Sequence, residues 1–157
     1  MSTHPDGTGP IHAFLAGQGR DGRGRLLAEV LAFDDGRIET VHDFIQWLFP
    51  LPDASRAVSG APVLDAAQAE AIRRDPAALA GLRAARERMA RFYAGTGHWL
   101  APHDHNHLRI TRILAALRDL LGPEEARAFH AAVTERNRAA GSPVNRRSLS
   151  FWERACA

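Results

Sequence analysis

A chain of 157 residues, 45% hydrophobic and 24% charged, has the size and composition of one globular domain able to bury a core. All 20 basic residues are arginine, set against 18 acids, and a net charge of +2 argues against nucleic acid as the partner. The single cysteine, Cys156, excludes an intramolecular disulfide and a Cys-based zinc site. It fits a reducing compartment, and with no apolar signal core and no run near the roughly 20 residues of a membrane span, the expectation is a soluble, cytoplasmic protein.

Residues 1–10, MSTHPDGTGP, are polar and rich in Gly and Pro and predict a loose tail before a helical domain over 11–157. Ile11–Leu15 reads as a short apolar turn or helix. Gly17, Gly19, Gly22 and Gly24, with Arg20, Asp21, Arg23 and Arg25 between them, predict a flexible connector. A glycine-rich loop can cradle a phosphate, but no strand precedes this one and no lysine completes a P-loop. Leu26–Phe33 is a predicted helix built on Leu27, Val30 and Leu31. Asp34-Asp35-Gly36 breaks it, and either aspartate can cap the next helix.

Val41–Pro52 is the densest apolar and aromatic stretch. At about 100° per residue, Ile38, Val41, Phe44, Ile45, Trp47, Leu48 and Phe49 cover more than half of a helix circumference. The pattern predicts a central helix covered by several neighbours, with Trp47 largely buried. His42, Gln46, Glu39 and Asp43 form its polar strip, and Pro50 and Pro52 stop it. An irregular run to Pro62 comes next, with Ser59–Pro62 as a loop and Val63-Leu64 as an apolar plug.

Asp65 reads as an N-cap with Gln68 at capping-box spacing, opening a short helix to Arg74. Asp75-Pro76 restarts the chain as a long helix to Tyr93, with Leu79, Leu82, Ala85, Met89, Phe92 and Tyr93 on one face. Arg86 falls inside that stripe. Either its stem packs while its head reaches solvent, or it pairs with a carboxylate such as Asp43. His98–His105 is a predicted loop carrying Trp99 and Pro102. Asn106–Leu121 is a helix with a clean apolar face of Ile110, Ile113, Leu114, Leu117, Leu120 and Leu121. Gly122-Pro123 opens the next helix, with Glu124 and Glu125 in its first turn and Phe129 and Val133 toward the core. Gly141 ends it, Ser142-Pro143 reads as a cap and first turn, and the last helix carries Leu149, Phe151 and Trp152. No segment alternates like a strand. The expected fold is an all-α, single-domain irregular bundle of about seven helices.

His103-Asp104-His105-Asn106-His107 offers zinc-ligand types, with His98 nearby. His103 and His107 share a helix face only if helix begins near His103. The competing reading is a helix start, with Asp104 or Asn106 as cap and His107 packed at the edge of the apolar face. It is preferred, so no metal and no cofactor is expected. No Gly-x-Ser-x-Gly elbow exists, and Glu39 with Asp43 reads as a solvated face. Arg83, Arg86, Arg88 and Arg91, and Arg109, Arg112 and Arg118, are diluted by acids such as Glu87 and Asp119. The polar edges of the two strongest helices could gather around one spot. They would then either specify helix docking or line a pocket for a carboxylate or peptide terminus, with Arg109 as bidentate anchor. The candidate ligand-binding residues are His42, Asp43, Gln46, Trp47, Asn106, His107, Arg109 and Arg112. The rival is an enzyme or metal protein using His42, Gln46, His105, His107 and Arg109.

HDFIQWLFPLP at His42–Pro52, APVL at Ala61–Leu64 and NHLRITRIL at Asn106–Leu114 resemble the conserved domain of the opioid growth factor receptor family. NRRSLSFWERA at Asn145–Ala155 resembles its closing segment more loosely, so the resemblance runs from about Ile11 to Ala155. It implies a compact microbial relative of a non-enzymatic peptide- or protein-binding module. The family's animal member is a receptor for the peptide Met-enkephalin, unrelated to seven-helix receptors, and the resemblance also allows nuclear or membrane-associated placement.

Overall fold

The computed structural model describes residues 9–53, 58 and 60–157. The loose tail expected over residues 1–10 lies outside the described residues as far as residue 8. So do residues 54–57 and 59 of the irregular run after Pro52, including the start of the Ser59–Pro62 loop.

Among the described residues are nine helices and no strand. They are α1 (Pro10–Leu15), α2 (Leu27–Leu31), α3 (Asp35–Thr40), α4 (Ile45–Leu48), α5 (Ala66–Arg73), α6 (Pro76–Gly95), α7 (Asn106–Leu120), α8 (Pro123–Ala139) and α9 (Arg146–Cys156). The expected all-α, single-domain class holds, with two helices more than the sequence suggested. None of the described helices is long and apolar enough to cross a membrane. The helices group into two compact units, one running to Ala85 and the other starting at Arg86.

In the first unit, α1 begins with Pro10 at its first position, where the missing N–H costs nothing. Residues Ile11 to Leu15 are all buried. The free N–H groups of Ile11 and His12 donate to Gln68 Oε1 at 2.8 and 3.1 Å. Asp65 caps α5 as expected, accepting from Gln68 N at 2.7 Å. The rest of the capping box is absent, because the Gln68 side chain serves α1. Asp75 accepts from Ala77 N at 3.0 Å to start α6, and its other oxygen takes His12 Nε2 at 2.7 Å. That bond holds the Asp75 carboxyl below its ordinary value.

The central helix expected from the sequence is broken. Asp34 caps α3 by accepting from Arg37 N, but α3 stops at Thr40. Val41 is extended, with φ −92° and ψ 127°, and helix resumes only at Ile45. The reason is tertiary: Arg25 holds Asp43 Oδ1 at 2.9 Å and Arg23 holds Oδ2 at 3.2 Å, drawing this turn toward the glycine-rich loop. Phe44, Ile45, Leu48 and Phe49 still form the core of the unit, with Phe33 edge-on to Phe44 at 5.5 Å. The apolar plug is Leu64 alone, 4% exposed and bonded through its N–H to Leu51 O; Val63 is 47% exposed.

The second unit contains the end of α6 and α7 to α9. Ile110, Ile113, Leu114 and Leu117 are fully buried, as the spacing in α7 predicts. Arg86 is ion-paired, but with Glu125 in the first turn of α8 rather than with Asp43, which Arg25 and Arg23 already occupy. Arg136 of α8 donates to Tyr93 O and Thr96 O, satisfying carbonyls at the end of α6. Ser142 is not a helix cap. It sits in the left-handed region at φ 57°, where its N–H returns to Asn137 O. Asn145 caps α9, accepting from Ser148 N at 2.8 Å. Asn137 Oδ1 also accepts from Val144 N, so residues 142–144 wrap the end of α8 before a new helix can begin.

Candidate binding surface

The glycine-rich segment is not a flexible connector. Asp21, its side chain fully buried, accepts from Arg23 N and Arg25 N at 2.9 Å each and from Arg25 Nε at 2.7 Å. Gly24 takes φ +77° to let the chain turn back, and Arg20 bridges to Leu26. Burial alone would lower the Arg25 guanidinium, but hydrogen bonds to Asp43 and Asp21 outweigh it and raise its proton affinity. An ion pair this enclosed fixes geometry more than it adds stability. Here it fixes the loop against the start of α4.

Trp47 stands beside this loop. A β-carbon on Gly22 would lie 3.6 Å from the Trp47 ring, and Phe14 meets the indole edge-on at 5.6 Å. Trp47 is mostly buried with part of its ring open to solvent, and His42 is exposed. Gln46 is 6% exposed, and its Oε1 has no hydrogen-bond partner among the described residues. Trp47, Asp43, Arg23 and Arg25 thus form one aromatic and charged surface over a well-packed core.

In the second unit, the sequence-predicted residues join a buried polar network. A carbonyl can only accept, so His107 Nε2 carries the proton and donates to Trp99 O at 2.8 Å, while Nδ1 faces the Ser148 hydroxyl at 3.4 Å. Trp152 Nε1 donates to His107 O at 3.0 Å. Asn106 accepts from Tyr93 OH at 3.1 Å and donates through Nδ2 to Asp104, which also accepts from Asn106 N at the start of α7. With both His107 nitrogens engaged and His103 and His105 exposed, these histidines do not converge. Among the described residues no group of three His, Cys, Asp or Glu is arranged to hold a metal ion. Arg109 is buried at 7% exposure and Arg112 is half-buried, so Arg109 does not lie open as the carboxylate-anchor alternative requires.

Burial holds the His130 imidazole below its ordinary value of 6.5, with Glu153 opposing the shift. Its Nε2 is enclosed without a partner among the described residues. Below pH 6.5 the unfolded chain binds a proton that the folded state resists. Stability is therefore complete above that pH and declines as pH falls through the window beneath it. The urea midpoint should drop between about pH 7.5 and pH 5.5, and His130→Gln should flatten that part of the profile. An unchanged profile in the variant would reject the assignment. Cys156 is also buried, which pushes its thiol up and leaves it a poor nucleophile at neutral pH.

Two concavities bear on ligand size. One, about 50 Å³ and lined by Tyr93, Trp99, Phe129 and Val133, is far below the roughly 300–1,000 Å³ of a small-molecule pocket. The other, about 460 Å³, is an open depression between Arg25, Glu29, Phe33 and Arg37, where the Arg37 guanidinium lies 4.2 Å over the Phe33 ring. Sequence reasoning missed the tertiary partners of Asp21, Gln68, Glu125 and Arg136. Only Asp21 left a signal, being the one acid among the arginines of a glycine-rich turn. Set against family models, curated proteins and solved structures, the chain matches none.

Proposed function

We propose that this protein is a non-enzymatic binding module that takes a peptide or protein segment on the surface around Trp47, as its resemblance to the opioid growth factor receptor conserved domain implies. The observation that carries this reading is the exposure of one tryptophan. Trp99 and Trp152 are fully buried, and Phe44, Ile45, Leu48 and Phe49 around Trp47 are core, yet Trp47 itself is left partly open. Tryptophan and arginine together are the side chains that most often dominate binding energy at an interface. His107 is engaged with Trp99 and Trp152, and Asn106 with Tyr93 and Asp104, which supports a folding role for both rather than chemistry.

Trp47→Ala should cost about 2–4 kcal/mol of stability, somewhat less than a fully enclosed tryptophan, since part of the indole remains in water. Met-enkephalin and a displayed peptide library should be screened against the wild type and this variant. Peptides that bind the wild type and lose affinity about tenfold or more in a folded Trp47→Ala protein support the reading. Binders indifferent to Trp47, or a collapse of the fold on its removal, would move the residue into the core and end the proposal.

A further inference from the structure

Charge is unevenly divided along the chain. From Arg86 onward there are twelve arginines against seven Asp and Glu, whereas the portion up to Ala85 has eight arginines against eleven. Much of the second unit's charge is neutralised internally: Arg86 pairs with Glu125, Arg118 with Asp119 and Arg138 with Glu135. Arg146, Arg147 and Arg154 of α9 are exposed, and none has a carboxylate partner among the described residues.

Two of these arginines are held in a particular way. Arg147, Phe151 and Arg154 stand at positions i, i+4 and i+7, which places them in one stripe along the helix. The opposite face buries Trp152, Ala155 and Cys156. Arg154 Cζ lies 4.8 Å from the centre of the Phe151 ring and Arg147 Cζ lies 5.6 Å from it. Arg154 Nε also donates to Ser150 O at 3.4 Å. Arg127, exposed on α8, is close enough to act on Cys156 at the end of α9. Glu153 is the one acid on α9.

We infer that the Arg147–Phe151–Arg154 stripe of α9 is a docking surface for an acidic peptide segment, with an apolar side chain set between its carboxylates. The ring holds both guanidinium groups near one orientation, reducing the rotamer freedom that a flexible arginine would lose on binding. Each guanidinium still presents N–H donors matched to a carboxylate. Phe151, half-buried, supplies the apolar contact between them. A single-stranded nucleic acid fits less well. Its bases need an open aromatic face, which the two guanidinium groups occupy here, and a chain of net charge +2 attracts a polyanion only weakly. The inference is independent of the reading of Trp47.

The test uses the full chain and a fluorescein-labelled peptide of alternating glutamate and leucine, with a lysine–leucine peptide and oligo-dT as comparisons. Anisotropy should show binding of the acidic peptide that weakens with salt and is absent for the basic one. The Arg147→Gln/Arg154→Gln variant should lose at least about tenfold in affinity while its melting temperature is unchanged, because both side chains are exposed. Arg138→Gln should bind as the wild type does. Affinity untouched by the double substitution, no binding of the acidic peptide at low salt, or tighter binding of oligo-dT would each overturn the inference.

Discussion

Gly81→Ala is expected to destabilise the first unit by about 3 kcal/mol or more, although alanine is the better helix former by about 1 kcal/mol. Gly81 lies in α6, and a β-carbon there would overlap Leu15 O and sit 2.9 Å from Leu27 Cδ2. The obstacle is a backbone carbonyl at the end of α1, which no rotamer change can move aside. To accept the methyl, α1 must shift as a body, and with it the buried residues Ile11 to Leu15. Gly36→Ala in α3 is the control. The nearest atom to its added β-carbon is Asp34 Oδ1 at 3.5 Å, an ordinary contact, so this change should be neutral or mildly stabilising. Urea unfolding of the two variants decides the matter. Equal midpoints would show that α1 and α6 are not packed this closely.

Trp152→Ala is expected to cost about 3–5 kcal/mol, enough to threaten a protein of ordinary stability. Trp152 is fully buried, lies tilted against Trp99 at 6.4 Å and edge-on to His107 at 5.9 Å, and bonds His107 O. It joins α9 to α7 and to the loop that carries Trp99. Trp152→Phe keeps most of the apolar ring and loses only the N–H donor, so about 1–2 kcal/mol is expected. The ordering of the two, read from chemical denaturation, checks the assignment. If both cost the same, the hydrogen bond rather than ring packing is what holds α9.

Local grammar was legible in the sequence. Asp34, Asp65 and Asp75 cap as their positions suggest, and α7 buries the apolar face that its spacing draws. These features depend on residues within one or two turns of each other. The errors have the opposite character. The stretch from Ile38 to Phe49 has helical spacing, but Arg25, 18 positions before Asp43, pulls the chain open. Arg86 could have sent its head to solvent or met a carboxylate, and only the fold could choose Glu125, 39 positions away. Ser142-Pro143 has the composition of a helix start, but Asn137 claims that turn for the end of α8. The candidate site divides in the same way. Asn106 and His107 were recognisable as special, but the bond of Asn106 to Tyr93 and those of His107 to Trp99 and Trp152 depend on how separate segments pack. The exposure of Trp47 depends on where the glycine-rich loop lies, which no periodicity encodes.

The bond from Gln68 to the start of α1 also orders events in time. A helix of 6 residues is well below the length at which isolated helices persist in water. The acceptor for its first N–H groups lies 57 residues further along the chain. Closing a loop of that length costs entropy before the contact can repay any of it. Helix α1 must therefore form late, on a surface that α5 and the first turns of α6 have already built. Until then Ile11, Ala13, Phe14 and Leu15, all enclosed in the folded protein, stand in water. A chain emerging from the ribosome makes this segment well before α5 and completes it only after α6 has followed.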